Sequence, residues 1–204
     1  MVDVSAAAPP APPGAMGPPV VPEFSIVPLR ALPLVVAVLV GLVVAIAANS
    51  LWALDWYHVV GGGLWTGIDL FVGLIIGPII GRLSIQARIE FTTRFMPKMV
   101  LLMPTLVTMT LASGWQLARH LGNLNAHYHN HWWLVTSFIV VGVMAVIALG
   151  FLEPANLGVL FELKKPRPDG ELIGKLMRRF VYTAGITGVM QVATLVIMTK
   201  LAVA

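Results

Sequence analysis

Residues 58–81 read HVVGGGLWTGIDLFVGLIIGPIIG. The stretch is long and apolar enough to cross a bilayer, since roughly 20 apolar residues in a helix span ~30 Å of hydrocarbon. Yet it opens on a histidine, His58, holds an aspartate, Asp69, near its middle, and is rich in glycine. The segments around it are equally apolar. Of 204 residues, 58% are hydrophobic and only 11% are charged, too few charges to coat a soluble domain. The sequence therefore predicts an all-α fold: a polytopic membrane helix bundle with the lipid bilayer as its partner.

Five transmembrane spans are expected, at about residues 34–53, 57–80, 99–118, 133–152 and 180–199. Pro33 suits a helix start, where a missing N–H costs nothing. Between the second and third spans, SIQARIEFTTRFMPK (84–98) repeats apolar residues at near-helical spacing among Arg88, Arg94 and Lys98. That pattern predicts a short helix lying in the headgroup region. Residues 1–28, opening MVDVSAAAPPAPPGAMGPP, are rich in Pro and Ala without apolar periodicity. They are expected to form a disordered or partner-bound arm, leaving 29–204 as the five-span domain. No basic segment precedes a short apolar core at the start, so no ordinary secretory signal is expected.

Basic residues set the expected orientation. Arg30, Arg82, Arg88, Arg94, Lys98, Lys164, Lys165, Arg167, Lys175, Arg178 and Arg179 fall on one side of the spans, and only Arg119 and Lys200 on the other. A bias of eleven to two places the amino terminus in the cytoplasm and the carboxyl terminus outside. Trp52, Trp56, Trp132 and Trp133 then make an aromatic belt at the outer face. The expected location is a bacterial inner membrane, crossed several times. Topology accounts for the cations, so no nucleic acid is expected as a partner.

With that orientation every histidine, His58, His120, His127, His129 and His131, lies on the outer side. Cysteine is absent, which removes disulfides, iron–sulfur clusters and covalently attached c-type haem. Imidazole is the usual ligand for haem iron, copper and zinc when thiolate is missing. His58 and His120 stand near the outer ends of neighbouring spans, as a b-type haem held between two helices requires. Gly61, Gly62 and Gly63 lie one turn from His58 and offer clearance for a flat macrocycle. The alternative is that both imidazoles merely sit in a polar interface. In HYHNH, an extended backbone would put His127, His129 and His131 on one face, able to converge on Cu(II), Ni(II) or Zn(II); otherwise the segment is a solvated loop.

Asp69 follows His58 by eleven residues. A helix turns ~100° per residue, so His58, Gly62, Trp65 and Asp69 share a stripe, with Asp69 ~16 Å deeper. An acid at that depth costs at least ~2.5 kcal/mol and must face the bundle interior. Gln191, near the middle of the fifth span, is the expected partner at similar depth. Asp69 is then either a proton-relay or cation site, or half of an interhelical hydrogen bond, since polar pairs bind helices together in lipid. Gly63 and Gly67, and Gly73, Gly77 and Gly81, recur every fourth residue and predict a groove for a closely packed helix. Met99 and Met103 are expected to be packing residues. No Gly-x-Ser-x-Gly, phosphate-cradling loop or His-Glu-x-x-His is present, so nothing points to a hydrolase.

WYHVVGGGLWTGIDLF, with Pro78 before a basic loop, FTTRFMP and TLASGWQLA, resembles the copper-resistance D superfamily and a neighbouring group of uncharacterised integral membrane proteins. The resemblance covers roughly residues 50–200. Some members of that superfamily are linked to copper uptake and a protoporphyrinogen oxidase-like branch to haem b, which implies His58 as a metal or haem ligand. This chain has five expected spans and lacks the methionine-rich outer motifs of a dedicated copper importer. The expected function is binding of b-type haem or a metal ion such as copper through the outer histidines, within a redox or metal-handling system. Two others stand beside it. One is a cofactor-free accessory subunit that joins other membrane subunits or a second copy of itself. The other is a small proton-coupled permease built on Asp69.

Overall fold

Two adjacent residues, Asn49 and Ser50, decide where the first span stops. In the computed structural model, which describes residues 21–125 and 127–203, helix α1 runs Leu32–Ala47. Asn49 then takes a left-handed conformation (φ 53°), which ends a helix and which Asn tolerates better than most residues. The Ser50 hydroxyl accepts the Ala53 N–H at 3.4 Å and starts the next helix. The first span therefore ends at Ala47 rather than near 53, and Trp52 and Trp56 belong to the second. That second helix, α2, covers Leu51–Arg82.

The third, α3, is one 36-residue helix, Ile85–His120, begun by Ser84, whose hydroxyl accepts the Ala87 N–H. The separate interfacial helix expected over 84–98 is not seen. Its residues continue into the span through Pro97 and Pro104. Each proline removes one backbone bond, but where the surroundings are apolar the remaining backbone has no better alternative than the helix. Pro97 is buried among Met96, Met99 and Ile89 in the core. At 1.5 Å per residue α3 is ~54 Å long, well beyond ~30 Å of hydrocarbon, so its basic first turns extend past the apolar layer.

Helix α4 covers His131–Leu163 and helix α5 Gly170–Ala202. Both overrun the expected spans, at 152 and 180, for a capping reason. The Asp169 side chain accepts the N–H groups of Glu171 and Leu172, and Glu162 accepts from Lys165 Nζ at 2.5 Å and the Asp169 N–H at 3.1 Å. The turn between α4 and α5 is thus closed by side chains that sequence periodicity does not register.

Two helices widen to π geometry, α2 over Phe71–Ile76 and α4 over Ala148–Leu152. Each π segment leads into a proline, Pro78 and Pro154. A proline ring crowds the carbonyl four residues back. A wider turn, in which Gly77 donates to Val72 and Glu153 to Ala148, relieves that crowding. The carbonyl that Pro154 leaves unserved is that of Gly150; Arg179 of α5 donates to it at 3.4 Å, with its guanidinium 5.0 Å from the Phe151 ring.

α2 packs along α3 on one side and α5 on another, α5 also packs along α4, and α1 lies against α2 and α3 with most of its surface facing outward. The tightest crossing is at Gly73, where a β-carbon would meet the backbone of Gly185, 2.8 Å from its nitrogen. One turn on, Gly77 receives Val181. The expected glycine groove is thus real but shorter: Gly63, Gly67 and Gly81 face open space. Ten residues separate Gly63 from Gly73, which turns it ~80° off that face. Methionines fill the centre, including Met96, Met99, Met103 and Met109 of α3 with Met144 and Met177.

Short connections make the bundle two-ended. One end holds the α2–α3 and α4–α5 turns with most of the cations, the basic end; the other holds the α1–α2 and α3–α4 turns with the histidines, the histidine end. At the basic end Val21, Phe24 and Ile26 pack on the core, and Lys164 Nζ donates to the Phe24 carbonyl and lies 4.6 Å from its ring centre. Val21, Phe24 and Ile26, within the arm expected over 1–28, thus pack on the core; residues 1–20 lie outside the described residues.

Gly73→Ala is expected to force α2 and α5 apart and to lower stability by about 1–3 kcal/mol, the usual cost of overpacking. Gly67→Ala, in open space, is expected to be neutral or slightly stabilising, because alanine is the better helix former. Unfolding of both variants in mixed micelles measures the difference.

Candidate functional site

The Gly73 and Gly185 crossing holds α5 against the middle of α2. Gly188, 3.2 Å from the Asp69 backbone if it carried a β-carbon, continues the close approach. Asp69 is 2% exposed. Its Oδ2 accepts two hydrogen bonds from α5, from Thr187 Oγ1 at 2.9 Å and Gln191 Nε2 at 3.0 Å. Asp69 and Gln191 are thus joined directly, and Thr187 adds a partner that the sequence reading missed. The signal was available: Thr187 precedes Gln191 by four residues and so shares its helix face.

His58 lies on α2 nearer the histidine end. Its Nδ1 is 2.9 Å from the Thr110 carbonyl of α3. A carbonyl can only accept, so Nδ1 carries the proton and Nε2 of the neutral ring presents a lone pair. The ring sits against Gly114, where a β-carbon would come within 2.6 Å of Nδ1. Glycine at 114 is the reason the imidazole fits between α2 and α3.

His58 lines a cavity of about 450 Å³ enclosed by α2, α3, α4 and α5. Its lining is mostly apolar and runs from Asp55, Leu121 and Ala202 at the histidine end down to Trp65, Met144 and Gln191. Gly62 lines it as well, one turn from His58, and leaves the wall open there. Asp69 does not line it. Gln191 stands between the two, its Nε2 on Asp69 and its Oε1 buried with no hydrogen-bond partner among the described residues.

The structure does not bring His120 to His58. His120 is exposed and lines a separate open groove with Asn49, Gln116 and Arg119. Gly114, level with His58, precedes His120 by six residues, which carries His120 ~9 Å along the axis and ~240° around it. HYHNH is not extended either. Tyr128 donates to the Asn125 carbonyl, His131 to that of Tyr128, and the Asn125 side chain accepts the His127 N–H at 3.1 Å, an arrangement that folds the segment into turns. His129 pairs with the adjacent Asn130 at 3.2 Å, and His131 opens α4. Among the described residues, no group of three or more His, Asp or Glu side chains converges.

No protein-family model, no curated protein and no solved structure matches the chain. Function is therefore inferred from its own geometry.

Thr187→Val and Gln191→Leu are each expected to destabilise the protein by about 1 kcal/mol, the net worth of one hydrogen bond. Double-mutant cycles with Asp69→Ala are expected to give coupling of about 0.6–1.7 kcal/mol, the range of interhelical polar pairs in membranes. Cycles showing no coupling would separate the three residues energetically despite their contact.

Proposed function

We propose that this protein binds b-type haem in the cavity at the histidine end, with His58 as its protein ligand, as part of a redox system in a bacterial inner membrane. The observation that carries this is the hydrogen bond from His58 Nδ1–H to the Thr110 carbonyl. Imidazoles that ligate metals commonly donate their other N–H to a carbonyl, which fixes the tautomer, the ring orientation and the basicity of the ligating nitrogen. Here that bond leaves Nε2, which has no partner among the described residues, beside a mostly apolar space. Gly114 keeps a side chain away from the ring, and Gly62 lines the same cavity one turn from His58. When bound, haem would supply one-electron chemistry, while the protein supplies the ligand, a dry cavity and a fixed orientation. Thr110 and Gly114 position His58, and Trp65 and Met144 wall the cavity.

The eleven-to-two distribution of cations supports placing the basic end in the cytoplasm and the cavity toward the outer side. A permease reading has less support, because Asp69 is enclosed by Thr187 and Gln191 and lines no cavity.

Titration of the purified protein with haem is expected to give a Soret band that His58→Ala abolishes or weakens by more than about 100-fold in affinity, beyond the usual cost of losing an outer-shell partner. His120→Ala is expected to leave it intact. An unchanged band in His58→Ala, or none in the native protein, would sink the proposal.

A further inference from the structure

We infer that the floor of this cavity is a second recognition point, at which Gln191 Oε1 accepts a hydrogen bond from a hydroxyl-bearing, membrane-soluble molecule. This goes beyond the haem proposal and stands without it, because it concerns the deep end of the cavity rather than the imidazole.

A glutamine amide has a donor end and an acceptor end, and its surroundings decide which points where. Asp69 Oδ2 already accepts from Thr187 and faces the Gln191 amide at 3.0 Å. A carboxylate oxygen only accepts, so opposite ionised Asp69 it is Nε2 that points to Oδ2 and Oε1 that turns away. Gln191 is 3% exposed and lines the cavity, and Oε1 has no partner among the described residues. A buried, unserved carbonyl oxygen is costly and needs an explanation. None of the lining hydroxyls, that of Ser137 included, bonds to it among the described residues. Thr66, Thr110, Thr194 and Thr199 each donate to a carbonyl of their own helix. With His58 Nε2 also presenting a lone pair, the residues at hand offer acceptors at both ends of the cavity and spend their threonine protons elsewhere. The occupant that completes such a site brings its own donor. The mostly apolar walls and a volume of about 450 Å³ require the rest of that occupant to be a compact hydrophobic body. Asp69 is a positioning residue in this arrangement, since it acts only through the amide it orients.

Calorimetric titration of the full chain in lipid nanodiscs with para-butylphenol and with its methyl ether tests this. The two differ only in the donor. The phenol is expected to bind at least about tenfold more tightly, because a site built for a hydroxyl rejects the analogue that leaves its polar group unpaired. Gln191→Leu should bring the ratio close to one, and Gln191→Met serves if the leucine variant does not fold. In Asp69→Asn the new side chain can itself donate, so the Gln191 amide is free to turn and the preference for the phenol should vanish or invert. A merely structural role for Asp69 would lower stability without reversing a preference. Equal binding of the two probes, or a ratio unaffected by Gln191 substitution but lost with His58, would overturn the inference. Failure of haem binding alone would leave it untouched.

Discussion

Backbone contact between α2 and α5 at Gly73 and Gly185 is the constraint on which the interior depends. In lipid the hydrophobic effect does not hold helices together, so association comes from close packing and a few polar contacts. Removing two β-carbons at one crossing lets the helices approach until Gly188 reaches the Asp69 backbone. Only at that separation do the short Thr187 side chain and the Gln191 amide reach a single carboxylate oxygen. Packing comes first and the polar pair follows from it.

The prolines act on the same interior from the opposite direction. Pro78 and Pro154 lie toward the basic end of their helices, and each is preceded by a widened turn. A π turn adds a residue to one turn and so rotates everything beyond it relative to an ideal helix. In α2 the wide turn falls just after Asp69, which separates the face bearing His58, Gly62 and Trp65 from the face bearing Gly77. In α4 it exposes the Gly150 carbonyl, and Arg179 is placed to serve it. The cation there thus has a structural use at the same time as it contributes to the basic end.

Much of this was legible because membrane helices advertise themselves. Long apolar runs, sided cations and small residues at fourfold spacing pointed to five spans, a close crossing and an inward Asp69. The depth argument that paired Asp69 with Gln191 needed only helical rise. What could not be read depended on local backbone choices. Asn49 in a left-handed turn, the Asp169 cap and the uninterrupted passage of α3 through two prolines are conformations that hydropathy windows do not sense. The pairing of His58 with His120 failed for a related reason. Proximity of two helix ends fixes depth but not azimuth, and six residues past Gly114 the azimuth on α3 has turned His120 about a third of a turn (~120°) off that face. HYHNH failed because Asn125 captures the His127 N–H and folds the segment, where alternation of side chains needs an extended one.

The two ends of the cavity obey one rule. At His58 the Thr110 carbonyl takes the Nδ1 proton and leaves a lone pair; at Gln191 Asp69 takes one amide proton and leaves the carbonyl turned away. In both cases an acceptor behind the side chain decides what the side chain shows in front. That polarity comes from the partners rather than from histidine or glutamine, both of which can present either a donor or an acceptor. A lone pair presented at each end favours electron-pair acceptors and hydrogen-bond donors, which include a metal centre at the imidazole and a hydroxyl at the amide. The wall between the two ends is mostly apolar, so neither contact is diluted by competing polar groups. The chemistry of the site therefore follows from two oxygens that stand behind the side chains they orient, the Thr110 carbonyl and the Asp69 carboxylate.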